Sequence, residues 1–507
     1  MSGHRYPLAK GGGGMSSLGR RWRLLSVQAF GRSGPLVLSR VASAALTFGL
    51  PLVLVRVLDP HSFGTYKQFF LVAQTLLLVG QLGLTQSLYY FLPRGAAQRG
   101  AYVAQVVALL AGLGALLGIA IWTLSPLLSR WLASPDLVGL RIPLAVYSAA
   151  MLAAAPLEAT LVCEGHLRKA AFAYTASDVL RAAAIVLAAA VFGDTWLFWA
   201  ACLVAILRVG TLWSLLGSGL APRAAPRWSL LRPQLAYALP FAGSSLLYVV
   251  HKYLPQYVVS ACFDPATFAL FAVASFHLPV IDIIYTPTSE VLMVELGRRE
   301  SMRDLPGAVR HWQDSIERLA TLLFPAAVGS WLVGPILLPM LFTADYAPAV
   351  PLFMLATAEI PLWIFPCDAV LRASGDTRFL FRFNAVRLLV TAVLVLAGIR
   401  LLGIQGAIGA AIVAESLGCA VLLSRAGRYL RVSTRDLVDW RALVRIATCA
   451  ALAVVPALAL RFVLPGGPQL LIASVLVYSA AYFTVRAVLG RSAVATTAPF
   501  TAGLIEK

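Results

Sequence analysis

Of the 507 residues, 60% are hydrophobic and 12% charged. That is half the charged share of a soluble domain, about 25%, which excludes a water-soluble globule. The formal net charge of +19 would suggest nucleic acid in a soluble protein. Here the Lys and Arg residues gather between apolar runs, so the basic balance reports membrane topology and no nucleic-acid partner is expected.

Residues 1–16 are Gly-rich, and Gly11 to Gly14 are not followed by Lys-Ser/Thr, so there is no phosphate loop. Leu18, Trp22, Leu25 and Ala29 recur at helical spacing with Arg20, Arg21 and Arg23 between them. This predicts an amphipathic surface helix in a basic cytoplasmic tail, 1–32. Apolar runs then follow at 33–58, 65–92, 101–124, 141–161, 170–191, 196–217, 234–260, 266–293, 316–341, 347–371, 380–402, 404–424, 442–464 and 468–490. Strict alternation is absent, and lipid offers backbone amides no partners, so the fold expected is all-α with about 14 membrane spans. The first run is too long for a signal-peptide core and reads as an uncleaved first span.

With the N-terminus inside, the inner loops collect Arg223, Arg227 and Arg232, then Arg298, Arg299, Arg303 and Arg310, then Arg425, Arg428, Arg431 and Arg435. The outer loops, around Asp194, Asp264 and Asp345, are short and nearly uncharged. This positive-inside pattern predicts an inner-membrane protein with both termini cytoplasmic. The six cysteines, Cys163, Cys202, Cys262, Cys367, Cys419 and Cys449, lack CxxC spacing and lie in or beside apolar runs. They read as small buried residues, not disulfides or metal ligands, and no cofactor is expected.

An internal repeat organises the chain. Leu58-Asp59-Pro60-x-x-Phe63-Gly64-x-Tyr66 recurs 205 positions later as Phe263-Asp264-Pro265-x-x-Phe268-Ala269-x-Phe271, and Gly165-x-x-Arg168 returns as Gly375-x-x-Arg378. This predicts two pseudo-symmetric six-helix lobes, 33–217 and 234–424, joined by a cytoplasmic linker, 218–233. Two further helices, 442–490, and a tail, 491–507, follow.

Polar residues inside the spans carry the functional expectation. A cation at mid-bilayer costs roughly 2.5–3.5 kcal/mol, so it usually faces water or a partner. The first span has Arg40, Ser43, Thr47 and Pro51 on one face. Shifting by the repeat gives Ser245, Tyr248, Lys252 and Gln256 on the seventh, again one face. The second carries Lys67, Gln74 and Gln81 at heptad spacing; the eighth carries Ser275, Asp282 and Ser289 likewise. These predict a central cavity lined by spans 1, 2, 7 and 8. Arg40, Lys67 and Lys252 would supply its cations, and Asp282 is the candidate for H+ or Na+ coupling. Competing readings are that Arg40 snorkels, that Lys67 anchors at the interface and that Asp282 only pairs with Lys252. His251 and His277 are candidate protonation switches or, on the plainer reading, satisfied buried histidines. Asp178 and Arg181 are placed to neutralise each other, Arg387 to reach the inner surface, and Arg208 and Glu415 have no assigned partner. Pro51, Pro240, Pro255, Pro279 and Pro287 favour kinks in the four cavity spans.

Arg56-x-Leu58-Asp59-Pro60-x-x-Phe63-Gly64-x-Tyr66-Lys67-Gln68, with Gln81-Leu82-Gly83-Leu84 and Ser87-Leu88-Tyr89-Tyr90-Phe91-Leu92-Pro93-Arg94, resembles the polysaccharide transporter family of lipid-linked oligosaccharide flippases (Wzx-type). That family belongs to the multidrug/oligosaccharidyl-lipid/polysaccharide exporter superfamily. The resemblance implies a MATE-like V of two lobes and export of an undecaprenyl-diphosphate-linked oligosaccharide to the periplasmic leaflet. It also implies a polymerase or export machinery as partner. Two alternatives stand beside it: a drug or cation antiporter of the same superfamily, and a membrane polymerase or ligase. The antiporter would favour acidic cavity walls. The enzyme would need longer outer loops and site motifs that are absent here.

Overall fold

The computed structural model describes residues 39, 42–94, 98–217, 227–276, 279–373 and 377–497. The surface-helix segment 18–29, Arg40 and His277 lie outside them, and so do residues 218–226 of the linker. The described residues are helical with connecting turns, and they contain no strand.

The repeated Asp-Pro motif is a helix start. Asp59 caps α2 (Pro60–Gly80), its carboxylate accepting from the His61 and Ser62 amides at 2.8 and 3.0 Å. Asp264 caps α10 (Pro265–Ala274) the same way, from Ala266 and Thr267 at 3.1 and 3.3 Å. In both, proline at the first helical position has no amide to leave unsatisfied. The Ser62 and Thr267 hydroxyls also donate to their cap carboxylates, at 3.0 and 2.6 Å.

α1 (Ala42–Leu54) precedes α2, and α3 (Leu84–Arg94) follows it. The run 65–92, expected as one helix, is bent by 42° at Gln81–Gly83. Leu82 and Gly83 there take φ of 45° and 68°. Hydropathy is blind to this break because both sides of it are apolar. The N-terminal half continues with α4 (Arg99–Trp131), α5 (Arg141–Ala154), α6 (Pro156–Cys163), α7 (Leu167–Phe192) and α8 (Trp196–Gly217). Pro156 divides α5 from α6 because it cannot donate to the preceding turn.

α9 (Trp228–Cys262) is one helix of 35 residues. It begins inside the expected linker, so residues 228–233 are helix and not connection. The eighth run, expected continuous over 266–293, stops after α10 and resumes as α11 (Pro279–Ser301). α12 (Leu305–Phe342) comes next. The tenth run is α13 (Ala349–Ala356), a 3-10 stretch Thr357–Ile364 and α14 (Cys367–Ala373).

The helical run Thr377–Leu430 would be roughly 80 Å long if straight, far beyond a hydrocarbon core of about 30 Å. It is a hairpin of α15 (377–402) and α16 (404–430), turned at Gly403 with φ 61° and ψ −140°. A Cβ on Gly398 would lie 2.3 Å from the Gly406 carbonyl oxygen, so the two helices meet backbone to backbone across the turn. Arg387 pairs with Glu415, and Arg425 sits over the Phe379 ring at 4.9 Å, in the same antiparallel register.

The final pair is α17 (Trp440–Leu452), continued by α18 (Val454–Ala459), and α19 (Pro468–Thr497). α19 extends into the expected tail. Both helices dock on α12 through Cys449, Ala450, Tyr478 and Tyr482. The Tyr482 hydroxyl donates to the Thr321 carbonyl at 2.8 Å. Among the described residues, eight helices are long and apolar enough to cross a bilayer, or nine if the bent α2–α3 pair is one span.

One core packs α2, α5, α7 and α8 around Phe69, Tyr147, Ile185 and Phe198. Another packs α11, α12, α14, α16 and α17 around Trp312, Leu319, Leu323 and Ile446.

Candidate functional site

The two repeats meet at their Asp-Pro ends. Gly64 on α2 packs against Pro265 so closely that a Cβ would lie 1.8 Å from the proline carbonyl oxygen. Phe63 is edge-on to Tyr346 at 5.8 Å, and Phe48 lies 4.5 Å from Phe276. The Arg56 guanidinium donates to the Met340 carbonyl at 2.8 Å. Gln68, fully buried, donates to Ser260 Oγ at 2.9 Å and to the Leu132 carbonyl at 3.1 Å. Aromatic packing and buried hydrogen bonds therefore close this end.

Away from it, α2 and α9 run antiparallel, with Gln68 beside Ser260 and the Tyr257 hydroxyl donating to the Leu71 carbonyl at 3.4 Å. At about 100° per residue, Lys67, Gln74 and Gln81 fall to one side of that contact line. Lys252 and Gln256 fall to the same side of α9, because antiparallel pairing reverses the sense of rotation. Gln74 and Lys252 are left uncovered by protein, and Lys67, Gln81 and Gln256 are partly covered. Lys67 Nζ stands 5.4 Å from the Phe63 ring centre and Lys252 Nζ 6.0 Å from that of Tyr253. Among the described residues neither lysine has a carboxylate within ion-pair distance. The side chains of Tyr248 and Asp282, and all of Arg40, lie outside the described set. Ser43 is buried and Thr47 exposed. The break between α10 and α11 removes the periodicity that would have aligned Ser275 with Asp282; Asp282 stands in the first turn of α11.

Two other intramembrane arginines are neutralised within the fold. Arg181 pairs with Asp178 at 3.4 Å and hydrogen-bonds Tyr147. Arg387, expected to reach the inner surface, instead pairs with Glu415 across the hairpin. The opposing helix offers a carboxylate that a single-span reading cannot place. Arg208 donates to Ser177 at 3.3 Å. A cavity of about 280 Å³ at the α11–α12 corner is lined by Arg299, Asp304, Arg310, His311 and Asp314, among others. It lies apart from the polar stripes, and Arg299 there already bonds Glu295, Asp304 and His311. Among the described residues no group of three or more His, Cys, Asp or Glu is placed to hold a metal ion, and none of the six cysteines forms a disulfide.

Sequence reasoning passed over one polar network. Gln234 on α9 joins Gln105 on α4 and Ser87 on α3, beside a stack of Tyr90 on Tyr237. A glutamine inside an apolar run was the available signal.

A family model described as polysaccharide biosynthesis protein matches residues 53–351. No curated protein sequence matches the chain. Among solved structures, the lipid II flippase MurJ in an inward closed conformation superposes with TM-score 0.73 at 13% identity, covering 90% of this chain and 100% of its own. An inward-facing multidrug resistance MATE family transporter of the MOP superfamily gives TM-score 0.57 at 16% identity, over 78% of this chain and 96% of its own. The Vibrio cholerae MATE transporter VcmN in the bent form gives 0.51 at 14%, over 82% and 99%. At these identities the likeness is one of fold.

Proposed function

This chain belongs to the polysaccharide biosynthesis protein family, and from that premise we propose that it is a membrane transporter and not an enzyme: a flippase for an undecaprenyl-diphosphate-linked oligosaccharide. The cargo moves from the cytoplasmic to the periplasmic leaflet of a bacterial inner membrane by alternating access between two six-helix lobes arranged in a V, within a total of 14 spans. Both termini are cytoplasmic.

The observation that carries this reading is the uneven packing along α2 and α9. Their Asp-Pro end is closed by Gly64 against Pro265, while mid-helix the stripe bearing Gln74 and Lys252 stays uncovered. A path closed at one end and lined with cations further in suits a diphosphate moving through it. Lys67 and Lys252, with Arg40, attract the diphosphate, and Gln74, Gln81, Tyr248 and Gln256 offer hydrogen bonds to it or to the sugars. The lipid tail remains in the bilayer between the lobes. Asp282 carries H+ or Na+ coupling, and a polymerase or export complex receives the cargo. An antiporter of organic cations would want acidic walls; the described stripe residues are cationic or neutral.

The test is deletion of the gene followed by extraction of lipid-linked oligosaccharides and assignment of their leaflet. The expected result is a complete repeat unit accumulating on the cytoplasmic side with loss of surface polymer. Normal surface polymer with altered sensitivity to cationic drugs would overturn the reading in favour of the antiporter.

A further inference from the structure

The face of α9 that bears Lys252 continues toward the start of the helix. Eighteen residues before Lys252, five full turns of helix, it carries Gln234, with Tyr237 one turn nearer. There it meets the N-terminal half. Gln105 Nε2 on α4 donates to Gln234 Oε1. Gln234 Nε2 donates to Ser87 Oγ on α3 at 3.2 Å, and Ser87 Oγ donates to the Leu84 carbonyl at 2.6 Å. Both glutamines are 0% exposed. Beside them the Tyr90 and Tyr237 rings stack with centres 4.7 Å apart, and Phe91 stands edge-on to Tyr237 at 6.0 Å. Yet Tyr90 and Tyr237 are 39% and 43% exposed. The seam thus has a dry amide core and an open aromatic edge.

It is also incompletely satisfied. Gln105 Oε1 is buried without a hydrogen-bond donor, which costs about 1–3 kcal/mol. A seam serving only to hold helices together would be better built from leucine, because buried amides repay their desolvation only when every atom is paired. No charged side chain takes part in the described network, so nothing in it favours a diphosphate over a neutral partner. Amides and a hydroxyl, which donate and accept, fit sugar hydroxyls. Flat aromatic faces fit the C–H face of a pyranose.

We propose that this seam is the inner gate of the transport path and that its residues are also the sugar-binding element. When α9 moves off α3 and α4, Gln105, Gln234 and Ser87 exchange one another for sugar hydroxyls. Tyr90 and Tyr237 exchange each other for a sugar ring. The gate then opens most readily for a lipid that carries a saccharide. This inference rests on the flippase reading.

The experiment measures binding to the full chain in nanodiscs of two probes: undecaprenyl diphosphate, and the saccharide-bearing lipid extracted from the deletion strain. The wild type is expected to prefer the saccharide-bearing lipid. Gln234→Leu and Tyr237→Leu are each expected to cut that preference about tenfold, the equivalent of one lost hydrogen-bonded contact, without changing undecaprenyl diphosphate binding. Tyr237→Phe, which keeps the ring, retains most of the preference and guards against a merely misfolded Tyr237→Leu. Equal loss for both lipids, or an intact preference in both leucine variants, would overturn the sugar-binding gate and leave the flippase reading standing. A wild type that binds neither lipid would overturn both.

Discussion

At the scale of single residues, Lys252 and Asp264 show how position decides role. Lys252 lies ten residues, about 15 Å, before the Asp-Pro end of a 35-residue helix, with a tyrosine ring beside it and no carboxylate partner among the described residues. Holding a cation there is costly unless something anionic visits. Lys252→Ala is therefore expected to abolish polymer export at unchanged protein level, scored by surface polysaccharide and immunoblot; normal export by a well-expressed variant would remove the anionic path. Asp264 has a structural task. The Thr267 hydroxyl, donating to it, holds its carboxyl below the usual carboxylate range, helped by the Thr267 and Ala266 amides. Because the folded value is the depressed one, this stabilisation is complete above the ordinary carboxylate value and is lost as pH falls through the lowered one. Asp264→Ala should cost about 1 kcal/mol at neutral pH, and the gap to wild type should narrow in acid, as followed by thermal melts in detergent. The repeat marked Asp59 and Asp264 as equivalent from sequence alone, since a cap followed by proline is a local signal. The partner of Arg387 had no such signal, because Glu415 is brought to it only when the α15–α16 hairpin closes.

At the scale of elements, α7 and α15 each carry one half-buried, ion-paired arginine, Arg181 and Arg387, 206 positions apart. One is neutralised within its own helix and the other by the next helix. Removing one partner leaves an uncompensated charge, so Glu415→Gln should lower stability by up to about 3 kcal/mol, and exchanging the pair as Arg387→Glu with Glu415→Arg should restore most of it. Detergent melting curves of the three proteins decide this. Gly64 makes one of the element-level contacts between the halves. Gly64→Val places side-chain atoms where the Pro265 carbonyl lies and should prop the Asp-Pro end open. A cysteine placed at Ser260, which is fully buried, should then react faster with a membrane-impermeant maleimide than it does beside Gly64. Equal reactivity would mean that this end is not closed by that contact. Element boundaries were legible where proline or an Asp cap marks them. They were hidden where the break falls between equally apolar residues, as at Leu82.

At the scale of the whole molecule, the all-helical membrane fold, the repeat and the polysaccharide-biosynthesis family follow from the chain read as a string. Apolar runs, an Asp-Pro motif and basic loops are local in sequence, and lipid leaves helices as the solution for such runs. The positive-inside count extends this to orientation: a fluorescent protein fused after Lys507 should glow and a periplasm-dependent reporter there should stay silent. The sequence by itself also put Lys67, Gln74 and Gln81 on one face of a helix and Lys252 with Gln256 on another, because helical periodicity needs no partner. Tertiary structure decided the rest. It set the antiparallel register that brings both faces to the same side of the α2–α9 pair, closed the Asp-Pro end through Gly64 and Pro265, and joined Gln105, Ser87 and Gln234 from three helices. Each of these depends on contacts between segments dozens to hundreds of residues apart, and such contacts leave no trace in the periodicity of any one segment.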